Sequence, residues 1–178
     1  MIERFVRWAG KKYTVGQRIL ALAAAGAVFL VGLPALLVWT SGLDRAVDLP
    51  RFVIQPFNAI VALILVLAGV SLGIWSNRDL FDIGEGTPIP MMPTRRLVIA
   101  GPYRYCRNPM ALAAICGYLG VVAYIGSPSS MALLTVLAAA LLIYIRCIEE
   151  KELEARFGQA YIDYKKQVPF IVPRFRMR

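Results

Sequence analysis

Two short clusters carry the residue types that do chemistry. The first is Gly101-Pro102-Tyr103-Arg104-Tyr105-Cys106-Arg107-Asn108-Pro109-Met110, with two arginines, two tyrosines two apart and a proline near each end. Pro109 opens a long apolar run, and proline suits the first turn of a helix. A helix N-terminus with guanidinium groups beside it attracts anions and carboxylates. Tyrosine and arginine also anchor membrane helices at the interface, so the cluster taken alone is equally an anchor. The second cluster is Arg146-Cys147-Ile148-Glu149-Glu150-Lys151-Glu152, at the far end of the same apolar region. Ionisable groups that continue a membrane helix usually face the bundle interior or a polar cavity. Glu149 and Glu150 differ by about 100° around a helix, so one points inward and the other along the rim. Arg146 lies within pairing reach of both. The plain alternative is a solvated helix end with interleaved charges.

The chain that positions these clusters is too apolar for a soluble globule. Of its 178 residues 58% are hydrophobic and 17% charged, and its mean hydropathy is +0.61. Soluble domains are roughly half apolar and a quarter charged. A disordered chain is excluded on the same ground. Residues 19–43, 52–77 and 108–145 contain no charge. A bilayer core of about 30 Å takes about 20 apolar residues of helix, so the first two stretches each make one span. The third is long enough for two short spans and is broken by Gly126-Ser127-Pro128-Ser129-Ser130. Helix is the structure expected throughout, because unpaired backbone amides are too costly in lipid. The expected fold is an all-α integral membrane protein, one domain over 1–178. It has about four transmembrane helices, near 19–41, 53–76, 110–126 and 131–147, the last two a hairpin. A loop over 77–109 and a tail over 148–178 complete it. The first apolar run continues past Pro34 to Trp39 without a small-residue cleavage motif, so it reads as a retained helix, kinked at Pro34.

A net charge of +9 would suggest nucleic acid in a soluble protein. Here the basic residues cluster at the ends of spans and no nucleic-acid partner is expected. Lys and Arg number five before the first span, two in the first loop, five in the second, none in the hairpin turn and eight at the C-terminal end. That alternation places both termini and the second loop in the cytoplasm. The short spans, with no targeting sequence, fit a bacterial inner membrane. Histidine is absent, which removes triad hydrolysis and His-ligated metal or haem chemistry. Cys106, Cys116 and Cys147 form no CxxC pair, so neither a metal site nor a disulfide framework is expected. Gly84-Glu85-Gly86 lacks the strand and helix of a nucleotide-binding motif. Gly69 and Gly73, four apart in the second span, mark close helix packing. The proline-rich second loop is expected to lie against the bundle. In the tail, Leu153, Phe157, Ala160, Tyr161 and Tyr164 recur at helical spacing and predict an amphipathic helix of about four turns.

Gly101-Pro102-Tyr103-Arg104-Tyr105 followed by Arg107-Asn108-Pro109 resembles the GPYRYxRHP signature of the isoprenylcysteine carboxyl methyltransferase and phospholipid methyltransferase superfamily. Arg146, Glu149-Glu150, Leu153, Phe157-Gly158, Tyr161, Tyr164, Val168-Pro169 and Pro173 are similar to that superfamily's tail pattern. The resemblance runs from about residue 84 to 175. The first two spans match only in being apolar. It implies an integral-membrane methyltransferase using S-adenosylmethionine, with the cofactor between the last spans and the C-terminal segment. Carried over by position, Tyr103, Tyr105, Arg107, Asn108, Pro109, Glu149 and Glu150 would contact the cofactor. Two positions depart from the pattern: Asn108 replaces the histidine and Ala111 the following tyrosine. Asparagine keeps hydrogen-bonding capacity but takes no proton.

Methyl transfer from a sulfonium needs no metal, only an acceptor held close to the methyl with water excluded. Tyrosines suit the sulfonium through cation–π attraction. Arg107 suits the cofactor's carboxylate, and Glu150 its ammonium or ribose hydroxyls. The acceptor would be a lipid or small lipidated molecule entering from the bilayer. A lipid amine must lose a proton, which Glu149 or Glu150 would take. A prenylcysteine carboxylate needs only a cation such as Arg104 or Arg146. The short chain with few loops favours the lipid amine or another small amphiphile. An NADPH-dependent membrane reductase of the sterol-reductase type, and a non-enzymatic family member, are the other readings. Nothing in the sequence sets an oligomeric state.

Overall fold

The computed structural model describes residues 13–87, 89 and 92–174. The basic residues Arg4, Arg7, Lys11 and Lys12, and Pro88, Pro90 and Met91 of the second loop, lie outside the described residues. Every regular element among the described residues is helical. Three continuous helical runs, Val15–Ala46, Phe57–Asp82 and Pro128–Phe157, are long and apolar enough to cross a membrane, and Pro109–Ile125 is a shorter apolar helix. The molecule is an all-α integral membrane protein. Large apolar side chains stand exposed on its flanks, Leu30, Trp39, Ile54 and Leu63 among them, and the solvent that suits such a surface is lipid.

Helix α1 (Val15–Ala27) starts at Thr14, whose hydroxyl accepts from the Gln17 amide while the Gln17 side chain accepts from the Thr14 amide. This reciprocal capping satisfies amide groups that a helix start leaves open. The run passes through a π-helical turn, Val28–Gly32, into α2 (Leu33–Thr40) and the short α3 (Leu43–Ala46). The irregularity expected at Pro34 is this wider turn just before it, where a proline's missing amide interrupts the regular ladder. The Tyr118 hydroxyl donates to the Phe29 carbonyl inside the turn at 2.7 Å.

Helix α4 (Phe57–Asp82) and helix α5 (Pro109–Ile125) form the main packed pair. A Cβ at Gly69 would come within 2.6 Å of the Gly117 amide nitrogen and 2.7 Å of the Ala113 carbonyl. At Gly120 it would meet the Ala62 carbonyl at 2.8 Å. The backbones therefore approach through glycine on both helices, the packing mode expected for small residues in lipid. Gly73 has ordinary room. The Asn58 side chain fastens the start of α4 to the end of α5, donating to the Ala123 carbonyl at 2.7 Å. Helix α4 also runs past residue 76, so part of the expected loop is helix.

The turn to α6 (Pro128–Tyr144) is only Gly126 and Ser127, with Pro128 and both following serines already inside the helix. Asp44 closes this end, its carboxylate accepting from the Ser129 amide at 3.0 Å. Nearby, Leu37, Val122 and Leu134 form the buried apolar cluster. At its other end α6 passes through a second π-helical turn, Ile145–Glu149, into α7 (Glu150–Phe157). The expected four-turn tail helix is interrupted at Gly158, whose φ of +55° suits glycine. Helix α8 (Gln159–Gln167) follows. Of the predicted apolar stripe, Tyr161 and Tyr164 are buried, while Ala160 is exposed.

Candidate functional site

The site gathers at the end of the bundle where α4 finishes, α5 begins and α6 gives way to α7. A 3-10 turn, Gly101–Arg104, leads into α5. Gly101 has φ +52°, a conformation costly for other residues. A Cβ there would overlap Asp79 Oδ2 and lie within 2.8 Å of Trp75 Nε1. The turn therefore sits directly against α4.

Arg107 is the centre of the polar network. Its Nη2 lies 2.8 Å from Glu150 Oε1, with the two side chains only 7% and 3% exposed. Its Nη1 donates to the Lys165 carbonyl at 2.9 Å, and its backbone amide to the Pro169 carbonyl at 2.9 Å. Lys165 Nζ completes the group, 3.0 Å from Glu150 Oε2 and 2.8 Å from Glu154 Oε1. Those carboxylates, Glu154 first, raise the Lys165 pKa. Glu150 thus has a cation on each oxygen and is already partnered.

The final segment lies along the signature cluster. Asn108 Nδ2 donates to the Phe170 carbonyl at 2.8 Å. The Arg174 amide donates to the Tyr105 carbonyl at 3.0 Å. The Tyr164 hydroxyl donates to the Tyr103 carbonyl at 2.7 Å. Pro109 is the first residue of α5, as the sequence implied, and is buried. Asn108 precedes it but makes no side-chain cap. Its amide instead holds the tail, a role open to a neutral donor.

The pairing expected between Arg146 and the glutamates is not formed. The π-helical turn widens the helix between them and changes the register on which that pairing rests. The exposed Arg146 lies with its guanidinium 5.5 Å from the Phe170 ring centroid, and Arg107 lies 5.9 Å from the same centroid. Phe170, which the sequence did not single out, therefore lies within reach of both arginines. Cation–π contact of this kind is worth about 0.5–1 kcal/mol when exposed and more when desolvated. Glu149, half-buried, has no hydrogen bond or ion pair among the described residues.

Tyr103 is 7% exposed, and its hydroxyl likewise has no hydrogen-bond partner among the described residues. Burial pushes this phenol well above its ordinary range, and the charges of Tyr164, Glu149 and Asp79 push the same way. Tyr103 is thus a neutral hydroxyl close enough to Glu149 and Asp79 to feel both. Lys165, Asp79 and Trp75 escaped the sequence reading. Lys165 stands in a tail of alternating charges, and Asp79 sits beside Arg78 and near Asp82, so neither differs locally from its neighbours. The second loop does lie against the bundle, with Thr87, Pro93 and Val98 buried. Arg156, 2.6 Å from Glu152, also donates to the Thr94 carbonyl and ties this loop to α7.

A family model described as Phospholipid methyltransferase matches residues 57–160, more than half of the chain. It takes in all of α4, which the sequence resemblance left outside, and stops within α8, short of the segment that lies against Arg107. No curated protein matches the chain.

Proposed function

The chain belongs to the phospholipid methyltransferase family, and from that premise we propose that it transfers a methyl group from S-adenosylmethionine to a lipid amine of the membrane that holds it. The observation carrying this reading is the set of polar groups at the site end without partners among the described residues. Glu149 lacks a counter-ion, the Tyr103 hydroxyl lacks an acceptor, and Arg146 faces only Phe170. These residue types match the cofactor's charges. Arg146 suits its carboxylate, Glu149 its ammonium, and the aromatic faces of Tyr103 and Phe170 its sulfonium. The bound cofactor supplies an electrophilic methyl group. Tyr105, Asn108 and Pro109 line the signature turn beside it. Arg107 and Glu150, closed on each other and on Lys165, act as the frame that fixes the turn against the tail. The tail then excludes water from the transfer path. The basic ends of the chain support a cytoplasmic setting for this face.

Calorimetric titration of the detergent-purified protein with S-adenosylhomocysteine tests the reading. Micromolar binding that falls at least about tenfold in an Arg146→Ala, Glu149→Gln double variant is the expected result, since each lost charge-assisted bond is worth about 1.5–3 kcal/mol. No binding by the intact protein would overturn it. Radiolabelled transfer to membrane extracts then gives the acceptor. A base-stable product indicates an amine, and a base-labile one a prenylcysteine ester.

A further inference from the structure

Helix α4 brings an acid to the site that no motif contains. Asp79 Oδ2 is a buried atom without a hydrogen-bond partner. One helical turn earlier on the same face stands Trp75, 47% exposed on the flank of the bundle. Both side chains meet the backbone at Gly101, where the Trp75 indole nitrogen and the Asp79 carboxylate approach one point. Tyr103, nine-tenths buried with its hydroxyl unpartnered among the described residues, lies within electrostatic reach of both Asp79 and Glu149. Three carboxylates at this end are ion-paired: Glu150 with Arg107 and Lys165, Glu152 with Arg156, Glu154 with Lys165. Asp79 has no such cation among the described residues. A carboxylate without a counter-ion beside a half-exposed indole, at the edge of a lipid-facing helix, is built for a cation arriving from the membrane.

We infer that Trp75, Asp79 and Tyr103 form the acceptor subsite, in which Asp79 binds the headgroup ammonium of the lipid and takes its proton. This rests on the methyltransferase reading above and assigns its acceptor side. Glu149 then faces the cofactor, and Tyr103, within electrostatic reach of both acids, borders the path of the methyl group. The ammonium N–H bond breaks and its proton moves to the Asp79 carboxylate, leaving the lone pair on nitrogen. That pair forms the N–C bond as the cofactor's S–C bond breaks, its electrons staying on sulfur. The methylated nitrogen carries the positive charge, and the Asp79 proton returns to water.

The test compares intact protein with Asp79→Asn and Asp79→Glu in nanodiscs containing phosphatidylethanolamine. Methyl transfer to that lipid, binding of S-adenosylhomocysteine, and retention of phosphatidylethanolamine over phosphatidylglycerol by native mass spectrometry are measured together. Asp79→Asn should lose about 10²-fold or more in transfer, the range for removal of a general base. It should lose the preference for the amine lipid yet bind S-adenosylhomocysteine within about twofold of the intact protein, a difference well under 1.4 kcal/mol. Asp79→Glu, keeping the carboxylate, should recover part of the transfer. Preserved cofactor binding also shows that the variants fold. The inference is overturned if Asp79→Asn transfers normally. It is equally overturned if cofactor binding falls in step with transfer, or if the intact protein binds S-adenosylhomocysteine but shows no preference for the amine lipid. Failure of the intact protein to bind S-adenosylhomocysteine overturns the underlying reading instead.

Discussion

Arg107 holds one carboxylate and two carbonyl groups through its side chain and its backbone amide, and its ion pair is almost wholly removed from water. Removing one member of a buried pair strands the other, at about 3–5 kcal/mol. Because Lys165 still neutralises Glu150, Arg107→Ala should fall near the lower end of that range. An Arg107→Met, Glu150→Leu double variant should lose less than the single one, as seen by thermal unfolding in detergent. Equal losses would show that the charges themselves are not what the tail requires. At this scale the sequence was legible where a motif names residue types. The signature turn and the glutamate pair do come together. Their partners were not legible, because Arg107 donates to the backbone carbonyl of a lysine 58 positions along the chain, and the amine of that same lysine pairs with Glu150. Nor could types alone distinguish Glu150, doubly paired, from its neighbour Glu149, unpaired among the described residues.

The helices obey their apolar runs, and their irregularities come from interactions that hydropathy does not record. The hairpin turn, the helix at Pro109 and the packing role of Gly69 were all readable from residue type. The π-helical turn at Ile145–Glu149 and the break at Gly158 were not, since an unbroken charge-and-apolar pattern crosses both. Glycine contacts give the α4–α5 pair a sharp test. Gly120→Ala forces a methyl group against the Ala62 carbonyl and Val66, and overpacking of this kind costs about 1–3 kcal/mol. Gly117→Ala, where a Cβ meets nothing within 4 Å, should be neutral or gain up to about 1 kcal/mol from helix propensity. Thermal melts of the two variants in the same detergent should move apart; matching shifts would refute the close approach.

The whole molecule keeps its polar groups at its ends and its titrating groups mostly at one of them. Tyr103, Tyr161 and Tyr164 are all pushed upward, chiefly by burial, and Lys165 is raised by Glu154 and Glu150. Each raised pKa contributes stability that is complete below the unfolded value, about 10 for both groups, and is lost as pH climbs toward the folded value. Unfolding temperature should therefore fall steeply above about pH 10, with phenolate absorbance rising in the same transition; a flat profile there would contradict the buried phenols. Topology has its own probe. Cys147 is exposed, Cys106 buried and Cys116 partly covered, so a membrane-impermeant maleimide should label Cys147, and only from the cytoplasmic face. Labelling from the opposite face would invert the orientation that the basic residues imply. The strap at residues 168–174, which supplies carbonyls to Arg107 and Asn108, makes the closed turn depend on residues more than 50 positions further along the chain. A cut between α8 and the strap would leave the apolar helices in place yet remove the contacts that close the turn, so the site could be silenced without dismantling the bundle.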